Sequence, residues 1–168
     1  MVELVEQIHE SCSAAVLDGH DIVYVARVPT QTRIMSISLG IGSRLPAHAT
    51  SLGRVLLAEF DEARLDRFID ELGPLPRYTP HTVTDAAELK RRIADVRRRG
   101  YSILDQELEI GLRSIAVPLR GPGGRAAAAL NVGMQASRRS IDELRQQILP
   151  PLLDTARRIS ALLGARPG

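Results

Sequence analysis

The sequence predicts an α+β domain in which an antiparallel β-sheet carries helices on its faces. Three strand-like segments come first, helical segments follow, and three more strand-like segments come later, an order typical of α+β folds. Turn signals at Asp18-Gly19 and at "GPGG", Gly121–Gly124, fit short hairpins between antiparallel strands. At 168 residues, 44% of them hydrophobic, the chain has the length and composition of one domain with a core of aliphatic residues.

The first quarter of the chain predicts a helix and three strands. Val2–Glu10 has the spacing of a short amphipathic helix, whose apolar side could pack on something outside the domain. A hairpin follows, with strands at Ala14–Leu17 and Ile22–Val28. The alternation in "RIMSISL", Arg33–Leu39, predicts the third strand.

Three helices are expected next. The first covers Ala49–Ala58. Asp61 is a suitable N-cap for the second, Glu62–Glu71, and Asp85 for the third, Ala86–Arg99, which the following glycine ends.

The rest of the chain predicts three strands and a terminal helix. The strands are Tyr101–Asp105, Arg113–Arg120 and Arg125–Met134, and they bring the sheet to about six strands. The helix covers Ile141–Leu163, and Pro150-Pro151 should kink or split it.

Composition and motifs argue against several classes of function. Cys12 is the single cysteine, and the four histidines lack metal-ligand spacing, so neither a disulfide nor a metal site is expected. Phosphate-loop and G-x-S-x-G patterns are absent from the sequence, and no cofactor is expected. The chain has no apolar run long enough to span a membrane and no signal peptide at its start, which predicts a cytoplasmic protein without a membrane partner. The net charge of +2 comes with arginines at helical spacing, which indicate a solvated helix face rather than a DNA-binding surface.

The segment "GSRLPAHATSLGRVLLAEF", Gly42–Phe60, begins a helix among small residues. The first N–H groups of a helix lack intrahelical partners, so a carboxylate could bind there. Alternatively, Thr50 or Ser51 only caps the helix, and the residues alone do not separate these readings. His48, three residues before Ser51, is the nearest candidate base for catalysis.

A second unusual segment, "LDQELEIGLRS", contains the acids Asp105, Glu107 and Glu109 before Arg113. The favoured interpretation is that Arg113 forms a structural ion pair with one of these acids, and the alternative is that it binds a ligand.

Two segments, "GSRLPAHATSLGRVLLA" and "GYSILDQELEIGLRSIAVPLR", resemble the two signature segments of the isocitrate-lyase-regulator (IclR) family of bacterial transcription regulators. The resemblance extends from about Val2 to Leu163. It implies the family's C-terminal effector-binding domain, which has a GAF-like (profilin-like) fold. In finer detail the chain resembles regulators of aromatic-acid breakdown, including the β-ketoadipate route, whose effectors are small aromatic or dicarboxylic acids.

The same resemblance implies a domain organisation. Residues 1–10 would be the linker helix and residues 11–168 the effector-binding domain. The family's winged helix-turn-helix domain would precede Val2 and is expected to be absent from this chain, so that DNA would be contacted only through that domain. The effector-binding domain is expected to pair with itself in dimers or tetramers.

The resemblance also implies a binding cavity between the sheet and the loop that opens the first long helix. Residues at matching positions are Leu45, Ser51, Leu52, Ser114, Asn131 and Gly133. Met35 is added as an adaptable apolar wall. Where the family has an acid, this chain has Leu104, and Asp105 follows on the opposite face of the strand, so both are candidates and a more apolar effector is expected.

The sequence therefore predicts a non-enzymatic sensor of a small organic acid that modulates DNA binding. Two alternatives stay open. One is an enzyme acting on a small acid, which requires a base beside Ser51 or Ser114. The other is a constitutive dimerisation module whose cavity is filled by side chains such as Leu104 and Met35.

Overall fold

The computed structural model describes residues 1–30 and 39–164. Within that part of the chain, six strands form one antiparallel sheet in the order β3-β2-β1-β6-β5-β4. The strands are β1 (Ser11–Asp18), β2 (Asp21–Val28), β3 (Arg44–Pro46), β4 (Ser102–Asp105), β5 (Leu112–Arg120) and β6 (Ala126–Gln135). This is the predicted fold class, although the strand predicted at residues 33–39 lies, except for Leu39, outside the described residues.

Helices cover both faces of the sheet. They are α1 (Val2–Ile8), α2 (Ser51–Leu57), α3 (Glu62–Leu72), α4 (Ala86–Arg99), α5 (Ile141–Glu143) and α6 (Leu149–Gly164). One apolar core lies between the sheet and α2, α3 and α4, and a second lies between the opposite face and α1 and α6. Among the described helices, none combines the length and apolar character that crossing a membrane requires.

The predicted boundaries of α3 and α4 are confirmed by their capping bonds. The Asp61 carboxylate accepts a hydrogen bond from the Arg64 N–H at 2.8 Å, and the Asp85 carboxylate accepts one from the Glu88 N–H at 2.7 Å. Gly100, at φ 80°, ends α4 in the left-handed conformation that glycine adopts without strain. These ends are local features of the sequence, which is why pattern alone places them.

The apolar side of α1 packs within this domain rather than on something outside it. Leu4, Val5 and Ile8 are buried in the core that α6 also covers. Burial of these side chains against the sheet removes their apolar area from water, so the domain itself covers the surface that could have packed on something outside it.

The helix predicted at Ala49–Ala58 begins two residues later. Arg44–Pro46 forms the short strand β3, Ala47–Ala49 forms a 3-10 turn, and α2 then starts at Ser51. The turn lies so close to α2 that a Cβ at Gly53 would stand 2.1 Å from the Ala47 carbonyl oxygen. Glycine at this position therefore allows the turn to pack on the helix.

Pro150-Pro151 changes the terminal helix without splitting it. The segment Leu144–Ile148, between α5 and α6, is a π-helical turn, and the prolines follow within α6. A proline has no N–H and its ring crowds the carbonyl four residues earlier. Those carbonyls belong to Gln146 and Gln147, inside the π turn, so the wider turn accommodates the two prolines.

Candidate functional site

A cavity lies between the sheet and the start of α2, and its empty space, including the open solvent at its mouth, is about 580 Å³. Its apolar walls come from distant parts of the sequence: Tyr24, Leu39, Leu45, Ala49, Leu52, Leu104, Leu108 and Leu112.

Part of the cavity floor is a row of residues paired across four strands. Leu104 pairs with Ser114, Ser114 with Gly133, and Gly133 with Ser11. All four line the cavity. A Cβ at Gly133 would meet no atom within 4 Å, so the glycine leaves this floor open.

A second row carries the strongest hydrogen-bonding groups of the floor. Asn131 pairs with Ser13, and Ser13 pairs with Arg27. The Arg27 Nη1 donates a hydrogen bond to the Ser13 hydroxyl at 2.9 Å. Among the described residues, the hydrogen-bond partner of Arg27 is thus a hydroxyl, and no carboxylate forms an ion pair with it. The guanidinium therefore brings a positive charge to the cavity.

A β-bulge brings Arg27 to this face. Ala14 pairs with Ala26 and Ala15 pairs with Tyr24, so Val25 has no partner across the ladder. An extra residue in one strand reverses the side-chain alternation beyond it. Tyr24 and Arg27 therefore share the cavity face, whereas strict alternation would place them on opposite faces.

At the start of α2, one side chain caps the helix and its neighbour lines the cavity. The Thr50 hydroxyl accepts a hydrogen bond from the Gly53 N–H at 3.2 Å and is the N-cap. Ser51 is 1% exposed and lines the cavity, and its hydroxyl has no hydrogen-bond partner among the described residues. Because an unpaired buried hydroxyl is unfavourable, Ser51 is suited to hydrogen-bond a ligand.

A buried ion pair closes one side of the cavity. Arg54 donates to both carboxylate oxygens of Glu107, at 2.9 and 2.5 Å, and to the His48 carbonyl at 3.0 Å. Burial lowers the pKa of Arg54, and the Glu107 charge opposes this shift. The Glu107 carboxylate also accepts from the Val83 N–H, so its charge is satisfied within the wall.

Most of the site residues expected from the sequence do line this one cavity. They are Leu45, Ser51, Leu52, Leu104, Ser114, Asn131 and Gly133. Met35 lies outside the described residues. Arg27, Ser11, Ser13 and Glu107 also line the cavity, and none of them was among the site residues expected from the sequence.

Asp105 is a correction to the expected set, because it does not line the cavity. It points to the other face of β4 from Leu104, and its carboxylate accepts a hydrogen bond from Arg113 Nε at 2.9 Å. The structural ion pair favoured for Arg113 is therefore present, and Asp105 is its partner.

The single cysteine and the candidate base His48 both lie away from the cavity. Burial on the opposite face of the sheet raises the pKa of the Cys12 thiol to about 12, which keeps the sulfur protonated. His48 contacts the Tyr78 ring and the Pro76 carbonyl rather than the cavity, and burial lowers its pKa. In residues 1–30 and 39–164 no cluster of three or more His, Cys, Asp or Glu side chains could hold a metal ion.

The sequence matches known proteins over nearly its whole length. Residues 1–161 match the family model described as the bacterial transcriptional regulator IclR C-terminal domain. The Pca regulon regulatory protein of Pseudomonas putida is 43% identical over 152 residues, which cover 90% of this chain and 52% of that protein. The p-hydroxybenzoate hydroxylase transcriptional activator of Acinetobacter baylyi is 39% identical over 155 residues, 90% of this chain and 57% of that protein. The chain thus spans about half the length of these relatives.

A solved structure has the same fold. It is a double mutant of the inducer-binding domain of the transcription factor PobR from Acinetobacter, in complex with 3-hydroxybenzoic acid. Its TM-score to this chain is 0.87 at 36% identity, and the match covers 95% of this chain and 93% of that one.

Proposed function

The chain belongs to the IclR family of bacterial transcriptional regulators, and on that premise we propose that its cavity binds a small aromatic acid as the effector of transcriptional control. The observation that carries the proposal is the position of Arg27. Its guanidinium lines the cavity and bonds to a hydroxyl rather than to a carboxylate.

The polar groups of the cavity suit one carboxylate. A guanidinium can bind both oxygens of a carboxylate with two parallel hydrogen bonds. Arg27 and Ser13 lie next to Asn131 on the floor, so donors converge there from three strands. The Ser51 hydroxyl, on the opposite wall, is available for a second polar group of the ligand.

The walls suit an aromatic ring rather than a flexible dicarboxylate. Leu104 stands where the family pattern has an acid, and Leu52 and Leu45 add apolar surface around the same space. Glu107, the acid at the cavity wall, is neutralised by Arg54. A second carboxylate of a ligand would meet leucines and uncharged polar groups rather than a second guanidinium, at a desolvation cost that a ring does not have. The 3-hydroxybenzoic acid in the PobR structure is an acid of the favoured class.

In the whole regulator, effector binding would act on DNA through a winged helix-turn-helix domain preceding the effector domain. We place the linker role in residues 1–10, with α1 packed against the sheet face opposite the cavity. A ligand that binds one arrangement of the domain better than another shifts the population towards it. Self-association in dimers or tetramers would pass that shift to paired DNA-binding domains.

Calorimetric titration with 4-hydroxybenzoate, protocatechuate, β-ketoadipate and glyoxylate tests the proposal. The two aromatic acids are expected to bind with one site per chain and more tightly than the other two. Arg27→Gln should weaken the binding of 4-hydroxybenzoate by at least about tenfold, because a charge-assisted hydrogen bond contributes roughly 1.5–3 kcal/mol. Uncharged 4-hydroxybenzamide should bind the parent and Arg27→Gln equally.

Arg157→Gln is the matched control, since Arg157 lies on α6 and outside the cavity. It should bind 4-hydroxybenzoate like the parent chain. Absence of binding by every acid to a folded chain would refute the sensor function. Conversion of a bound acid to a new product would support the enzymatic alternative instead.

A further inference from the structure

A second cleft opens on the other side of the Arg54–Glu107 ion pair. It lies between α4, the edge strand β4 and the start of the terminal helix. Glu107 lines both spaces, and Ser102 and Leu104 are alternate residues of β4, the first in the cleft and the second in the cavity. The cleft is thus a separate site next to the proposed effector cavity, and the proposed function does not use it.

Besides Arg54 of the ion pair, three more arginines line this cleft. Arg92 and Arg99 come from α4, and Arg145 comes from the π turn after α5. Their side chains are 56%, 46% and 43% exposed, so a solute can reach them. Each pairs with a carboxylate, but a guanidinium has five N–H donors and one such pair leaves several of them available.

The charges of the cleft do not cancel. Together with their direct ion-pair partners, the charged lining side chains comprise six arginines and five carboxylates, a net charge of +1.

Ser102 supplies an independent sign of a ligand. It is 2% exposed, it lines the cleft, and its hydroxyl has no hydrogen-bond partner among the described residues. Buried hydroxyls in proteins are generally hydrogen-bonded. A hydroxyl donor below several guanidinium groups is a suitable arrangement for an oxyanion, because arginine binds phosphate oxygens in a bidentate manner.

We propose that this cleft is a second binding site, which takes a tetrahedral oxyanion: free phosphate or the phosphoryl group of a small metabolite. Ser102 would donate to one oxygen at the base, and Arg92, Arg99 and Arg145 would bind the oxygens that face the opening. This site is distinct from the effector cavity and does not rest on the function proposed for it.

Calorimetric titration of the 168-residue chain with inorganic phosphate, at ionic strength held constant with sodium chloride, tests the site. Saturable binding with one site per chain is expected. Arg99→Gln, Arg145→Gln and Ser102→Ala should each weaken it at least about tenfold, roughly the value of one hydrogen bond to a charged group. Glycerol 3-phosphate in a parallel titration distinguishes the two sources, since tighter binding than phosphate assigns the site to a phosphorylated metabolite.

Two control variants make the result specific. Arg157→Gln removes an arginine from an i,i+3 ion pair on α6 that resembles the Arg145–Asp142 pair but lies outside the cleft, and it should bind phosphate like the parent chain. Arg27→Gln should also leave phosphate binding unchanged. Binding no stronger than that of chloride, or binding lost in Arg27→Gln and kept in the cleft variants, would overturn the proposal. Circular dichroism melting establishes that each variant is folded.

Discussion

At the scale of single residues, the proposed site depends on polar groups that the fold leaves incompletely satisfied. Arg27 bonds to a hydroxyl, and Ser51 is buried without a partner among the described residues. Missing hydrogen bonds at such groups are unfavourable for the stability of the empty domain. They favour binding, because a ligand supplies these bonds. Neighbouring Thr50, in contrast, is satisfied by its capping bond.

Replacing Thr50 and Ser51 separately should show that the first residue stabilises the fold and the second binds the ligand. Thr50→Ala is expected to lower the free energy of unfolding by about 1 kcal/mol, the usual value of an N-cap, in urea denaturation. Ser51→Ala is expected to change that free energy by less than about 0.5 kcal/mol, because the hydroxyl has no bond to lose. The Ser51 variant should instead bind 4-hydroxybenzoate more weakly in calorimetry. Equal losses of stability in both variants, with unchanged affinity for Ser51→Ala, would assign Ser51 a structural role.

At the scale of elements, the start of α2 and the bulge in β2 shape the cavity. The 3-10 turn Ala47–Ala49 leads the chain into α2, and Gly53 lets that turn approach the helix closely. The bulge at Val25 turns Arg27 towards the same space from the sheet. Two local irregularities, one in each layer, therefore bring the cavity's polar groups to face one another.

Two glycines of these elements should respond differently to the same change. Gly53→Ala places a Cβ 2.1 Å from a backbone oxygen, a contact that neither rigid segment can relieve, so a loss above about 3 kcal/mol is expected. Gly133→Ala is the control, because its Cβ would enter open space and should cost less than about 1 kcal/mol. Thermal and urea unfolding of both variants measure the difference. Similar stability of the two would show that the turn can move away from α2.

At the scale of the whole molecule, the sheet separates two cores, and ion pairs connect segments that are distant in sequence. Arg54 and Glu107 are 53 residues apart in sequence. Glu10, between α1 and β1, lies 3.3 Å from Arg138, just before α5. The Glu10 residue is fully buried, and burial raises the pKa of its carboxyl while Arg138 and Arg139 oppose the shift.

This raised pKa predicts a specific dependence of stability on pH. The folded chain holds the Glu10 proton to higher pH than the unfolded chain does, so the contribution of Glu10 to stability falls as pH rises through its folded-state pKa. The amide in the Glu10→Gln variant cannot ionise, so this variant should melt at a higher temperature than the parent chain at pH 7.5. The difference should shrink as the pH falls towards 4, where the carboxyl is mostly protonated in the unfolded chain as well.

Glu6→Gln, on the exposed side of α1, is the control and should melt like the parent chain at both pH values. If the parent chain is instead more stable than Glu10→Gln at pH 7.5, the attraction of Arg138 outweighs the burial of the charge.

The sequence by itself determined the features that depend on near neighbours along the chain. Capping residues and glycine stops predicted α3 and α4, and strand periodicity predicted that Leu104 and Asp105 lie on opposite faces. Seven of the nine expected site residues line one cavity, because the signature segments that suggested most of them form its walls and floor.

Only the tertiary structure decided the rest. It placed Arg27 in the cavity through a bulge that is defined by pairing between two strands, it chose Thr50 over Ser51 as the cap, and it packed α1 within the domain. It also paired Asp105 with Arg113. Each of these outcomes depends on groups that are remote in sequence or compete for one bond. Their energies are set by contacts and burial in the folded chain, which the pattern of one segment does not contain.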